Sequence, residues 1–169
     1  EIKTKSKEMV PFDLGALRWN KIIICTDADK DGYHIRTLLL TLFRRLLPTL
    51  LREKKVFIAE SPLYEIVCKD KSYFAYDEAE KAQILRQLEG QKYKVSRSKG
   101  LGENEPEMMR QTTMNPATRR LISVTPADEA ETDRIFETLL GDDIAARKAF
   151  ITEYGPQYMS EIDRSGDDA

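Results

Sequence analysis

The chain has 169 residues, of which 41% are hydrophobic and 33% charged, with a formal net charge of −2. This length allows one globular domain with an appended lobe, and the charge balance excludes a uniformly basic nucleic-acid-binding protein. No apolar run approaches the roughly 20 residues that cross a bilayer, and the two cysteines fit neither a disulfide framework nor a metal motif. We therefore expect a cytoplasmic protein with no membrane partner.

The charges are unevenly distributed. Residues 36–55 carry six basic side chains against one acid, and residues 92–99 carry four basic side chains and no acid. Acidic residues concentrate at 27–31 and 128–143. A near-neutral chain with this distribution is expected to have basic surfaces beside an acidic spot.

The first predicted elements form a βαβ unit. Residues 21–26 (KIIICT) are almost continuously apolar, as in a strand buried on both faces of a sheet. Apolar residues then recur at three- and four-residue steps from Ile35 to Leu51, which predicts an amphipathic helix ended or kinked by Pro48. Residues 56–59 (VFIA) predict the second strand. Arg44 and Arg45, between the apolar positions, are expected on an exposed helix face.

The later elements are shorter. Residues 63–67 and 72–76 alternate in polarity, which predicts a hairpin, and a charged helix is expected over 77–88. Residues 93–96 predict another strand. Beyond residue 99 the pattern is helical, with helices expected to begin near Pro106, after Asp128, and at Asp142 or Asp143.

Three aspartates at alternate positions follow the first strand. In extended backbone Asp27 and Asp29 project to the same side, and Asp31 joins them if the chain curls at Gly32. Crowded carboxylates repel one another, so either one of them is protonated or a cation lies between them. Their hard oxygen atoms favour Mg²⁺, with Mn²⁺ or Ca²⁺ as substitutes. An acidic surface turn is the alternative.

Two other families use aspartates in this spacing. A calcium EF-hand loop requires a glutamate at its twelfth position, which is Leu38 here, and a helix in front where this chain predicts a strand. That interpretation is excluded. A haloacid-dehalogenase-type phosphatase stays an alternative, although Asp31 departs from its D-x-D-x-T/V pattern.

Residues 22–40 (IIICTDADKDGYHIRTLLL) closely resemble the Toprim motif of bacterial type IIA topoisomerase B subunits, the B subunits of gyrase and topoisomerase IV. Residues 98–103 (SKGLGE) are similar to the second signature of that family, and residues 112–116 (TTMNP) continue in its manner. The resemblance implies an α/β fold with a Toprim-like parallel sheet flanked by helices, lacking its first strand, and a small C-terminal helical lobe.

The same resemblance implies the domain organisation. We expect a Toprim-like metal-binding domain over 1–97, the helical C-terminal region over 98–160, and a disordered tail over 161–169. The Glu-Gly-Asp-Ser segment that carries the catalytic glutamate of the family is not in this sequence. That glutamate is expected upstream of Glu1, or is absent.

The family's activity is ATP-dependent double-strand DNA cleavage and religation by an A2B2 heterotetramer. The resemblance gives this chain the Mg²⁺ site, and double-stranded DNA and the A subunit as partners. ATP is expected to bind to the full-length subunit and not to this fragment, which we expect to be inactive alone. A DNA- or A-subunit-binding module without activity is the second hypothesis.

The resemblance also assigns residues. Asp27, Asp29 and Asp31 match the acidic metal ligands and are the expected catalytic groups. Lys99, with Gly100 and Gly102 beside it, is expected to contact the DNA backbone. His34 and Arg36, just past the aspartates, are the further candidates for contact with DNA.

Overall fold

The computed structural model describes residues 2–3, 9–98 and 100–159. Lys99 and the predicted tail at 161–169 lie outside the described residues. The first elements are a short antiparallel pair, β1 (Ile2–Lys3) and β2 (Met9–Val10). Within the described ranges, no helix is long and apolar enough to cross a membrane.

The predicted βαβ unit is confirmed. Strand β3 (Ile22–Ile24) leads into helix α1 (Lys30–Leu46), and a short helix α2 (Pro48–Arg52) precedes strand β4 (Val56–Glu60). Strands β3 and β4 are parallel, with Ile23 opposite Phe57. The three aspartates at residues 27–31 form an acidic turn directly after β3. Because the carboxyl ends of parallel strands lie at one edge of a sheet, this acidic turn and the end of β4 lie at the same edge.

Pro48 interrupts the helix as predicted. It takes the first position of α2, where a helix needs no backbone N–H donor. Leu47, between the two helices, has φ −140° and ψ 50°, outside the helical region. After this break Leu50 and Leu51 are buried in a hydrophobic core that also contains Ile24 and Val56.

A strand that the sequence pattern did not predict completes this sheet. Strand β8 (Arg120–Ser123) lies antiparallel to β4, and the strand order is β3-β4-β8. The sheet is therefore mixed and not wholly parallel. β8 lies in the segment that was expected to form only a helical lobe. The predicted domain boundary between residues 97 and 98 therefore separates β8 from the two strands of its own sheet, and this boundary stays a prediction.

The predicted hairpin forms a second sheet with its own core. Strands β5 (Tyr64–Cys68), β6 (Lys71–Ala75) and β7 (Lys94–Arg97) lie in the order β6-β5-β7, and all pairs are antiparallel. Helix α3 (Glu78–Gln87) begins after Asp77, whose side chain accepts a hydrogen bond from the backbone N–H of Glu80. Five buried residues form the core: Tyr64, Ile66, Cys68, Ala75 and Leu88.

The helices of the last third begin where the sequence predicts. They are α4 (Pro106–Met109), α5 (Glu129–Leu140) and α6 (Ile144–Tyr154). Asp128 and Asp143 cap α5 and α6 with their side chains, as expected of aspartate at a helix N-terminus. A π-helical turn over Arg110–Met114 follows α4 directly.

Arg44 is not on an exposed helix face, contrary to the expectation. Its side chain is 8% exposed and bonds Asp133 at 2.5 Å and Glu129 at 2.6 Å, which ties α1 to α5. Arg52 bonds Glu129 at 3.0 Å. A helical period computed from α1 alone cannot show that a later helix covers Arg44.

Candidate metal and nucleic-acid site

The acidic turn lies at the carboxyl edge of the parallel pair β3 and β4. Ligand sites of open α/β sheets form at this edge, where loops leave adjacent strands. The turn is short because α1 begins at Lys30, directly after Asp29. The structure leaves no room for a twelve-residue calcium loop here, which agrees with the exclusion of an EF-hand.

Asp27 joins the two sequence signatures. Its Oδ1 accepts a hydrogen bond of 2.7 Å from the backbone N–H of Leu101, 74 residues away. A Cβ atom on Gly100 would lie 3.4 Å from the Asp27 carboxylate. The close approach at Gly100 is thus to Asp27, whereas nothing lies within 4 Å of a Cβ placed on Gly102. Lys99 itself lies outside the described residues.

Asp29 is the N-cap of α1. Its Oδ1 accepts a hydrogen bond of 2.7 Å from the backbone N–H of Gly32, and its backbone is extended at φ −132° and ψ 179°. Asp31 follows in the first turn of α1 and is exposed, whereas Asp27 and Asp29 are half-buried. The early start of the helix changes the side-chain period from two to 3.6 after Asp29. Asp31, which we expected to join Asp27 and Asp29 if the chain curls at Gly32, therefore follows the helical and not the extended period.

The fit to a metal ion depends on how many ligands the chain must supply. In the described part of the chain, no three acidic, histidine or cysteine side chains lie close enough together to hold a metal. Mg²⁺ commonly takes one or two carboxylates and completes its shell with waters and substrate phosphates. Asp27 and Asp29 suit that shared arrangement, since the hydrogen bonds described above engage only one oxygen of each. The assignment of Asp27, Asp29 and Asp31 as ligands stays a prediction.

We predict that Gly32→Ala disrupts this turn. A Cβ atom on Gly32 would lie 2.0 Å from the backbone oxygen of Asp27, so the backbone must move. Overpacking of this kind costs about 1–3 kcal/mol of unfolding free energy, measurable by urea denaturation. Gly102→Ala is the matched control, because its Cβ would meet open space. Equal stabilities of the two variants would contradict the turn geometry.

The two further DNA-contact candidates differ in their surroundings. His34 is exposed on α1. Arg36 is half-buried, packs over the ring of Tyr33 at 5.2 Å, and makes a long bond of 3.4 Å from Nη2 to the hydroxyl of Thr26. The Nε atom of Arg36 is buried and has no hydrogen-bond partner among the described residues.

The sequence pattern did not predict a polar cluster that lies at the end of β4. Tyr76 lies under the guanidinium of Arg120 at 3.8 Å, and Arg120 bonds Glu80 at 2.6 Å. Burial raises the pKa of the Tyr76 phenol, and the bond to Glu80 raises the pKa of Arg120. Glu60, the last residue of β4, adds to both shifts. The position of Glu60 at the same sheet edge as Asp27 was the signal that could have identified it.

Comparisons with known proteins agree with both signatures. The family model described as "Toprim domain" matches residues 1–61, and the model described as "DNA gyrase B subunit, carboxyl terminus" matches residues 90–152.

Several curated relatives align with most of the chain. The DNA gyrase B subunit of Thermotoga maritima is 47% identical over 152 residues, which are 90% of this chain and 24% of that protein. The corresponding protein of Thermus thermophilus is 48% identical over 143 residues, 85% of this chain and 23% of that protein. The DNA topoisomerase 4 B subunit of Mycoplasma capricolum is 45% identical over 142 residues, 84% of this chain and 22% of that protein. The chain spans about a quarter of the length of these relatives.

Proposed function

The chain belongs to the B subunits of DNA gyrase and topoisomerase 4, of which it carries the Toprim domain and the carboxyl-terminal region, and on that premise we propose that it supplies the Mg²⁺ site for double-strand DNA cleavage and religation. The observation that carries the proposal is the hydrogen bond between Asp27 and the backbone of Leu101. It brings the acidic turn and the second signature into one site at the carboxyl edge of β3.

In the proposed site Asp27 and Asp29 would each offer one carboxylate oxygen to the metal ion, whereas Asp31, in the first turn of α1, has its charge exposed to solvent. A bound Mg²⁺ would supply Lewis-acid stabilisation of the charge that develops on the 3′ oxygen when the strand is cut. Asp29 holds the amino end of α1 while it binds, so its backbone is fixed before DNA arrives. Mn²⁺ and Ca²⁺ offer the same preference for oxygen ligands and are the expected substitutes.

The DNA backbone is the proposed substrate contact. Gly100 and Gly102 belong to the loop that is held against Asp27, and Lys99 precedes them in the sequence, so a phosphate bound by this loop would lie beside the acidic turn. Arg36 reaches the same edge from α1 through its bond to Thr26, and His34 is exposed on the same helix. These contacts position the duplex and carry no sequence information, because phosphates are the same at every base pair.

The complete enzyme in this proposal is an ATP-dependent type IIA topoisomerase, an A2B2 assembly with the A subunit. ATP binds to other parts of the B subunit, and this chain alone has no cleavage activity. A second candidate function is a module that binds DNA or the A subunit without metal. The absence of a three-ligand group among the described residues favours it for the isolated chain. The phosphatase alternative has no support, because the acidic turn lies within the Toprim match.

Calorimetric titration of this chain with Mg²⁺ and with Mn²⁺ separates the two candidates. If Asp27 and Asp29 form the metal site, the titration gives saturable heat that disappears in Asp27→Asn and in Asp29→Asn, whereas the metal-free module gives no saturable heat. Both substitutions remove a charge but keep an oxygen that can accept the hydrogen bond from Leu101 or Gly32, so the turn should stay intact. Heat that persists in both variants, or that never appears with duplex DNA present, would leave the metal-free binding module as the better function.

A further inference from the structure

A cavity of about 140 Å³ lies beside the acidic turn, between the ends of β3 and β4 and the second turn of α1. Its apolar floor includes Ile58 and Ala59. Its polar groups are two hydroxyls at the strand ends (Thr26 and Ser61), Tyr76, Glu60 and Arg36. The volume holds several water molecules and therefore one tetrahedral oxyanion.

Arg36 is the unsatisfied group of this cavity. A guanidinium has five N–H donors and stays charged at every physiological pH. The bond from Arg36 to Thr26 is long at 3.4 Å, and Nε is buried with no partner in the described ranges. Buried donors are nearly always paired in folded proteins, so an orphaned one indicates a partner that the described residues do not supply.

Glu60 lines the same cavity and is the internal candidate for that partner. However, Glu60 also interacts with Arg120, whose pKa is raised by Glu80 first and by Glu60 in part. Arg120 thus offsets the negative charge on the Glu60 side of the cavity. Arg36 also lines the cavity, and its contacts among the described residues are with the ring of Tyr33 and the Thr26 hydroxyl.

We propose that the Arg36 cavity binds one phosphate group of a DNA backbone, with the guanidinium as the charged donor and the hydroxyls of Thr26 and Ser61 as neutral donors. A guanidinium offers paired donors that match two oxygens of a phosphate. The cavity opens at the sheet edge that carries the acidic turn, so the bound phosphate would lie beside the proposed cleavage site. The source of the phosphate rests on the proposed function, whereas the affinity for a phosphate group does not.

The direct test observes the Nε–Hε group of Arg36 by ¹⁵N-edited NMR while inorganic phosphate is added to this chain. The signal is assigned by its loss in Arg36→Lys. We expect a saturable shift of this signal and no comparable shift for Arg86, an exposed arginine on α3. A phosphate-insensitive signal that moves instead in Glu60→Gln would show an internal ion pair and overturn the proposal.

The second arm measures the affinity for duplex DNA over a range of salt concentrations. We expect Arg36→Gln to weaken binding about tenfold and to reduce the slope of log K against log salt by about one, the loss of one phosphate contact. Arg86→Gln removes the same charge away from the cavity and should change neither value. Phosphate binding with an unchanged slope would overturn the assignment to DNA. If the Arg36 signal shifts with phosphate but the calorimetric titration shows no saturable Mg²⁺ binding, only the proposed function is contradicted.

Discussion

Asp27→Asn should lower Mg²⁺-dependent DNA cleavage at least about 100-fold when the full-length B subunit is assayed with its A partner. The reason is that a metal ion contributes several kcal/mol to stabilisation of a charged transition state, and each 1.36 kcal/mol is tenfold in rate. The measurement is the rate of linear DNA formation from a supercoiled plasmid at saturating Mg²⁺.

Asparagine is chosen because it separates two roles of Asp27. It keeps an oxygen that can accept the N–H of Leu101, so the loop contact survives while the charge is lost. Asp70→Asn, an exposed change in the β5–β6 turn, is the matched control and should cleave normally. Wild-type cleavage by Asp27→Asn would remove Asp27 from the metal site. Asp27→Ala should also loosen the loop, visible as faster amide exchange at Leu101.

Arg44→Met should lower the free energy of unfolding by about 2 kcal/mol, the value of hydrogen bonds to a charged group. The substitution removes a guanidinium from a side chain that is only 8% exposed, so Glu129 and Asp133 lose their ion pairs with Arg44. The side chains of Glu129 and Asp133 are 46% and 65% exposed. Their exposure keeps the loss below that of a fully buried pair. Urea denaturation measures it. Arg45→Met, on the exposed neighbour, should stay within about 0.5 kcal/mol of the wild type.

The difference in unfolding free energy between the wild type and Arg44→Met should depend on pH. Arg44 first, and then Arg52, hold the pKa of Glu129 below its ordinary value of 4.5. A group whose pKa is depressed by folding adds stability above its unfolded pKa, and this is lost as the pH falls through the folded value. The stability difference between wild type and Arg44→Met should therefore be full at pH 7 and shrink below pH 4.5. A difference that grows with acidity would contradict the ion pair.

The structural elements that were predicted correctly from the sequence are those that neighbouring residues determine. The strand after Lys21, the break at Pro48 and the caps at Asp77, Asp128 and Asp143 each depend on residues within a few positions. The first signature also located the acidic turn, since three aspartates follow a buried strand. A resemblance to a known family supplied the roles, which composition and period alone left open.

The parts that were missed depend on distant partners. Strand β8 is polar at Arg120 and exposed at Ile122, and it is a strand because β4 offers it a backbone edge. Arg44 is covered by a helix that begins 85 residues later. The Arg36 cavity combines residues of α1, β4 and β8 with residues that follow β3 and β6. A helical or alternating period reports only what one element presents, not what a later element covers.

Strand β8 also fixes an order of events during synthesis. The chain leaves the ribosome from its amino end, so β3 and β4 emerge long before their third neighbour at Arg120–Ser123. Until then one edge of β4 stays open to any other strand in reach, such as one from a second nascent chain. The second sheet, whose strands are complete by Arg97, has time to form first, so that its own strands are already paired while the edge of β4 is still open.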